Sequence, residues 1–382
     1  MGEERNHYFK NLGSHLSAEP LSTVQLGTRL VGEKQPVFVI AEVGANHRGD
    51  LNTALRAIDL AKEAGADAVK FQHLNAETMA ADVAFQESWQ GKEGWKSLRE
   101  FYKASNFPYE WTEPLMAHAK KVGIMFLSTP FDAEAIRLLD ELDIPAFKVA
   151  SYELTSDQLL IEMAKTMRPI ILSTGMAYLE EVAHAVRVIQ AEGNPNIVLL
   201  HCSSLYPPRS PADLNLKAIE TLKNAFKVPV GYSDHTDPKS FAASLGAVAL
   251  GASVIERHVS DNQGGGSHDD QNAMSFERLK DFIQEIRFLE AALSGSGIKQ
   301  PVVYPDHDHD EIYERWTRRS IFAAKAIKKG EVVTEDHLIL LRPSDGLDPK
   351  FFPLLIGKVA MEDIAEGSPL SWNSFLSSDA AN

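Results

Sequence analysis

Between Val37 and His258 the chain repeats one phrase: a short apolar run that stops abruptly at polar residues, then a stretch with helical spacing. The first instance sets the pattern. Val37-Phe38-Val39-Ile40-Ala41 is apolar without alternation, as a strand covered on both faces requires. Glu42 ends the run, and Gly44, Asn46, His47 and Gly49 follow. Asp50 stands where an N-cap belongs, and Leu51, Leu55, Ile58 and Ala61 then fall on one face of a helix. Gly65 stops that helix, and Ala68-Val69-Lys70-Phe71-Gln72 returns as the next strand.

The phrase recurs six times. Ile124–Leu127 ends in Ser128 and Thr129, Ala146–Ala150 in Ser151, Tyr152 and Glu153, and Pro169–Leu172 in Ser173 and Thr174. Ile197–Leu200 ends in His201, Cys202, Ser203 and Ser204, Val228–Tyr232 in Ser233, Asp234 and His235, and Ser253–Ile255 in Glu256, Arg257 and His258. Helical stripes lie between them, from Trp111, Leu115, Ala119 and Val122 to a closing helix through Phe276, Leu279, Ile283, Ile286 and Leu289. Asp237-Pro238 reads as an N-cap followed by an N1 proline. Eight even units predict an α/β fold, a TIM (β/α)8 barrel, rather than an open doubly wound sheet. No GxGxxG follows the first strand, which also counts against a dinucleotide fold.

Residues 1–36 show no clear periodicity and are expected as a tail, or as an arm packed against the barrel, which spans 37–294. A linker over 295–317 includes the Pro-, Asp- and His-rich run from Pro301 to Glu311. From 318 to 382 the pattern predicts a small, mostly β module, with short runs at Ile321–Ala324 and Glu331–Val333 between turns at Gly330, Gly346, Gly357 and Gly367.

A net charge of −15 excludes broad nucleic-acid binding, which needs a basic surface. It leaves a small anionic substrate open, because a few lysines in a cleft set the local field. Cys202 is the sole cysteine, so no internal disulfide forms and a reducing compartment fits. No apolar run is long enough to span a bilayer, and the start lacks an apolar signal core; the expected location is cytoplasmic, with no membrane partner.

In such a barrel the C-terminal strand ends carry the chemistry. His235 and His258 close adjacent strands, and imidazoles on neighbouring ends can share one divalent metal; otherwise each serves only as a hydrogen-bonding group in the loop layer. Two nitrogens with positions left for water or substrate suit Mn, Fe, Co or Zn. Lys70 and Lys148, joined by Thr129, Ser151, Ser173, Ser204 and Ser233, make a phosphate or carboxylate cradle, unless the hydroxyls simply cap helices. Glu42 and Glu153 suit acid/base work or hydroxyl recognition, and equally an ion network with the lysines. The run Asp306–Asp310 has metal-clamp spacing but reads better as solvated linker charge. Cys202 reads as a buried small side chain rather than a nucleophile.

These residues lie in the motifs IAEVGANHRGD (from Ile40), KFQ (Lys70), STPFD (Ser128), KVASYE (Lys148), LSTGM (Leu172), HCSSLYP (His201), GYSDHT (Gly231) and IERH (Ile255). In this order the chain, from Val37 to about Phe375, resembles the sialic acid synthase family, enzymes that condense phosphoenolpyruvate with N-acetylmannosamine or a related sugar. The end module, with RRSIFAAKAIKKGE and LRPSDG, is similar to the antifreeze-like SAF domain of such synthases. The resemblance implies a nonulosonic acid and phosphate as products, with His235 and His258 binding manganese, or magnesium or cobalt in its place. It implies that Lys70, Thr129, Lys148, Ser151, Ser173 and Ser233 hold phosphoenolpyruvate, and that Glu42, Gln72, Glu153, Tyr206 and Asp269 face the sugar. Glu153 or Glu256 would orient the attacking water. Arg342 would reach the N-acetyl end of the sugar from the SAF domain of a partner subunit, in a domain-swapped homodimer. Three departures bear on the sugar more than on the reaction: Ser204 stands where the family often has Asn, the loop from Gly266 to Asp270 departs from Gly-Pro-Asp-His, and Ser344-Asp345 replaces Gly-Asn. The alternatives are another phosphoenolpyruvate-dependent sugar-acid synthase, a metal aldolase, or a non-catalytic carbohydrate-binding protein.

Overall fold

In the computed structural model, which describes residues 21–84, 96–205, 208–261, 270–295, 297 and 315–375, eight parallel strands close into a barrel. The chain divides into two compact units, Met1–Gly295 and Ser296–Asn382. The first opens with an antiparallel hairpin, β1 (Thr23–Leu26) and β2 (Arg29–Gly32). The barrel strands are β3 (Phe38–Glu42), β4 (Ala68–His73), β5 (Met125–Pro130), β6 (Phe147–Val149), β7 (Ile170–Ser173), β8 (Ile197–His201), β9 (Val230–Asp234) and β10 (Val254–His258), with β10 pairing back onto β3.

Successive side chains of a strand point to opposite faces. Inside the barrel, Phe38, Ile40, Leu127, Ile171, Val198 and Val254 form one buried cluster, and Val24, Leu26 and Val31 of the hairpin join it. From Leu21 on, the segment before the barrel therefore packs against it and closes its apolar interior. Strands of four residues are too short to show a period, which is why the sequence pattern left it open. Outside the barrel, helix Leu51–Ala64 buries Ala54, Ile58 and Ala61; Asp50 caps it by accepting from the amides of Asn52 and Thr53, and Gly65 ends it in the left-handed region.

Two local readings need correction. Asp237-Pro238 starts no helix: Asp237 Oδ1 accepts from Lys239 N at 2.9 Å to make a turn, and the helix begins at Ala242. In the second unit the strands are β11 (Ser320–Ala323) and β12 (Leu338–Leu341), paired antiparallel, whereas Glu331–Val333 contributes only a bridge from Val332 to Val359. This unit has its own core, with Ile321, Val333, Leu338, Leu355 and Leu370 buried together. The run Asp306–Asp310 lies outside the described residues. Among the described residues no helix is long and apolar enough to cross a membrane.

Candidate active site

The strands run further than their apolar stretches, so the polar ends are paired strand residues. Glu42 is the register partner of both Lys70 and His258, and Glu256 is that of Ser233. Parity then decides direction. Glu42 follows Ile40 by two residues, Lys70 follows Ala68, Thr129 follows Leu127, Lys148 follows Ala146, Ser173 follows Ile171 and Glu256 follows Val254; each of those apolar residues belongs to the interior cluster. A ring of charged and hydroxyl groups therefore stands one layer above a dry core, at the C-terminal mouth.

Glu256 is the centre of the ring. Its Oε1 accepts from Ser233 Oγ at 3.0 Å and lies 3.9 Å from Lys148 Nζ, and its Oε2 lies 3.9 Å from Lys70 Nζ. Lys70 pairs with Glu42 Oε2 at 2.7 Å and donates to Thr129 Oγ1 at 3.2 Å. Lys148 donates to Ser173 Oγ at 2.6 Å and to the Val149 carbonyl at 2.9 Å. Gln72 Nε2 donates to Glu42 Oε1 at 2.6 Å. Glu42, Lys70, Lys148 and Glu256 are all at most 5% exposed, so four formal charges share a site shielded from water. Charges are held in that way only when paired or used.

The environment sets their protonation apart. Burial pushes Lys148 below its usual range, against the pull of Glu256. Burial alone would lift the Glu256 carboxyl, but Lys148 and Lys70 together hold it below its usual value. Burial lifts Glu42 in spite of Lys70. The lysines thus favour the ionised form of Glu256, while burial works against ionisation of Glu42.

His235, just past the end of β9, and His258, at the end of β10, face each other with ring centroids 5.2 Å apart and planes at 47°. Burial, with His258 and the nearby cations adding to it, keeps His235 well below its usual value. The ring is therefore neutral, the form that ligates metals. The donor set fits a divalent cation with further positions for water or substrate. Cys202, which sequence reading set aside, has its Sγ 3.5 Å from His235 Nδ1.

Three loops converge beside this ring. Gly175 N donates to Ser151 Oγ at 3.0 Å, and a Cβ on Gly175 would lie 1.8 Å from Ser204 Oγ and 2.7 Å from Ser151 Oγ. Only glycine lets the loops after β6, β7 and β8 meet so closely.

Other expected residues fall elsewhere. Glu153, in the short turn Ser151–Glu153, is half-buried and lifted by burial, and among the described residues no hydrogen bond joins it to the lysines. Arg342 is exposed in the second unit. Tyr206 and Asp269 lie outside the described residues.

A NeuB family model matches residues 57–299 and a SAF domain model residues 318–376. The chain belongs to the NeuB family. It is 38% identical over 342 residues to a pseudaminic acid synthase of Campylobacter jejuni, covering 89% of this chain and 96% of that protein. It is 39% identical over 333 residues to an N,N'-diacetyllegionaminic acid synthase of Campylobacter jejuni, covering 86% and 97%. Among solved structures, the sialic acid synthetase of Leptospira borgpetersenii in complex with citrate superposes with a TM-score of 0.65 at 32% identity, covering 79% of this chain and 98% of that one. The NeuB barrel and the SAF module thus account for the two units and for their order along the chain.

Proposed function

We propose that this NeuB-family protein condenses phosphoenolpyruvate with an N-acetylated amino sugar to give a nonulosonic acid and phosphate. The observation that carries the reading is the convergence of two buried lysines on Glu256 beside a facing pair of imidazoles. The synthases this chain resembles are named for pseudaminic, legionaminic and sialic acids, which supports an acceptor from the N-acetylated sugars that lead to such acids.

The net change is balanced. The methylene carbon of phosphoenolpyruvate bonds to the aldehyde carbon of the open-chain sugar, whose oxygen takes up a proton. Water adds at the enol carbon, the C–O bond to phosphorus-bearing oxygen breaks, and phosphate leaves as the ketone forms. Lys70 and Lys148, with Thr129 and Ser173, hold the phosphate and carboxylate by charge-assisted hydrogen bonds. Ser151, Ser204 and Ser233 complete that cradle. Glu256, ionised between the lysines, orients the water and takes its proton, while Glu42, lifted by burial, returns one to the sugar oxygen. Gln72, Glu153, Tyr206 and Asp269 bind the sugar. His235 and His258 would hold the divalent cation, manganese first and magnesium or cobalt in its place. When bound, it would polarise the aldehyde as a Lewis acid.

We further propose a homodimer in which the SAF unit of one subunit supplies Arg342 to the barrel of the other. The test of the reaction is phosphate release from phosphoenolpyruvate with N-acetylmannosamine, its 6-phosphate and a 6-deoxy diacetamido hexose, before and after metal removal. One of these sugars is expected to support turnover that EDTA abolishes and Mn(II) restores. No release with any of them overturns the reading.

A further inference from the structure

The two imidazoles stand on separate strands, and their spacing must be fixed by something behind them. Asp234 immediately precedes His235, Arg257 immediately precedes His258, and the two are register partners across β9 and β10. By strand parity their side chains leave the barrel on its outer face, opposite the histidines. There both are fully buried, and Arg257 Nη1 lies 2.6 Å from Asp234 Oδ2. The same guanidinium reaches past the pair: Nη1 donates to Thr236 Oγ1 at 3.0 Å, and Nη2 approaches the carbonyls of Thr236 and Asp237 at 3.5 and 3.4 Å. Asp234 Oδ1 accepts from Thr236 N at 2.9 Å, and Ser244 Oγ donates to Asp234 Oδ2 at 2.5 Å. One side chain of β10 therefore grips the residues on both sides of His235, while its own backbone leads directly into His258.

We infer that Arg257 is a positioning residue that sets the distance and angle between His235 and His258, so that cation affinity depends on a group that touches neither cation nor substrate. The inference rests on the metal reading above. A buried ion pair adds little net stability compared with apolar replacements, so stability alone gives no reason for this arrangement. A planar fork with several donors can span Asp234, Thr236 and Asp237 at once; a lysine keeps the charge but not the span.

The experiment uses the metal-stripped full-length protein and Mn(II) as the probe, with unbound Mn(II) read by electron paramagnetic resonance. Arg257→Lys is expected to fold, by circular dichroism and cooperative melting, and to bind Mn(II) roughly tenfold to a hundredfold more weakly, the usual effect of losing an outer-sphere support. Excess Mn(II) should then restore its turnover. Thr236→Val keeps the ion pair and removes one tie, so a smaller loss in the same direction is expected. Leu222→Ala, which hollows the core behind helix Ala218–Phe226, should lower the melting temperature and leave Mn(II) affinity unchanged. Equal affinity in wild type and both site variants overturns the inference, as does an equal loss in Leu222→Ala. If Arg257→Lys does not fold, unchanged affinity in Thr236→Val overturns it alone. Wild type that takes up no Mn(II) overturns the metal reading itself and this inference with it.

Discussion

Lys148 is where the cradle is most exposed to test. Its ammonium is buried among Ser173, the Val149 carbonyl and Glu256. Replacing it with methionine keeps the stem and removes the charge. A hydrogen bond to a charged group is worth about 1.5–3 kcal/mol, so the KM for phosphoenolpyruvate in Lys148→Met should rise roughly tenfold to a hundredfold. The melting temperature should move little, because Glu256 keeps Lys70 and Ser233. A folded variant with an ordinary KM would make the lysine structural. The residue types of this site were legible from sequence, since lysine, glutamate and histidine at the ends of apolar runs are hard to explain as core. Their partners were not. Glu42 reads equally as a base or as the counter-ion of Lys70, and the structure places it against that lysine. Arg257 and Asp234 are letters of the IERH and GYSDHT motifs, but only strand parity shows that they are buried on the far face.

The elements tell a similar story. Apolar runs located all eight barrel strands, but placed several ends too early. The last inward-facing residues of β3, β9 and β10 are polar, and a hydrophobic pattern cannot see that they still pair. His73, the last residue of β4, is polar too but faces outward by the same parity: its ring nitrogens lie 2.6 Å from Ser128 Oγ and 2.6 Å from Thr112 Oγ1. Burial lowers its pKa to about 3. The folded state thus refuses a proton that the unfolded chain accepts below its ordinary value of 6.5. Stability from this group is complete above that pH and is lost as pH falls towards 3, by about 1.4 kcal/mol per unit. Urea unfolding between pH 6 and pH 4 should show that extra slope in wild type relative to His73→Gln; parallel slopes would place the ring's proton elsewhere. The loops after β6, β7 and β8 carry a second expectation. A methyl on Gly175 would strike Ser204 and Ser151, forcing those loops apart. Gly175→Ala should raise the KM for phosphoenolpyruvate about tenfold, in line with the loss of one cradle hydrogen bond, with the barrel still folded. An unchanged KM would separate this junction from the cradle.

At the scale of the whole molecule, the decisive question is whether one chain suffices. Each unit has a core of its own, so each can keep its fold when the other carries a substitution. That permits a complementation experiment. His258→Ala removes the proposed metal ligand from the barrel, and Arg342→Ala removes the proposed sugar contact from the SAF unit. Each homodimer should be crippled in sugar turnover. Mixed by refolding or co-expression at equal amounts, half of the dimers are hybrids. If Arg342 serves the partner's barrel, each hybrid has one intact site, formed by the barrel of the Arg342→Ala chain and the SAF unit of the His258→Ala chain. Activity should then return to about one quarter of wild type, the share set by twofold symmetry and random pairing. If Arg342 serves its own barrel, every hybrid site carries one of the two lesions and nothing returns. A solution mass of one chain would deny the dimer outright. Recovery in the mixture would mean that the SAF module is retained because it finishes a site that a single barrel leaves incomplete.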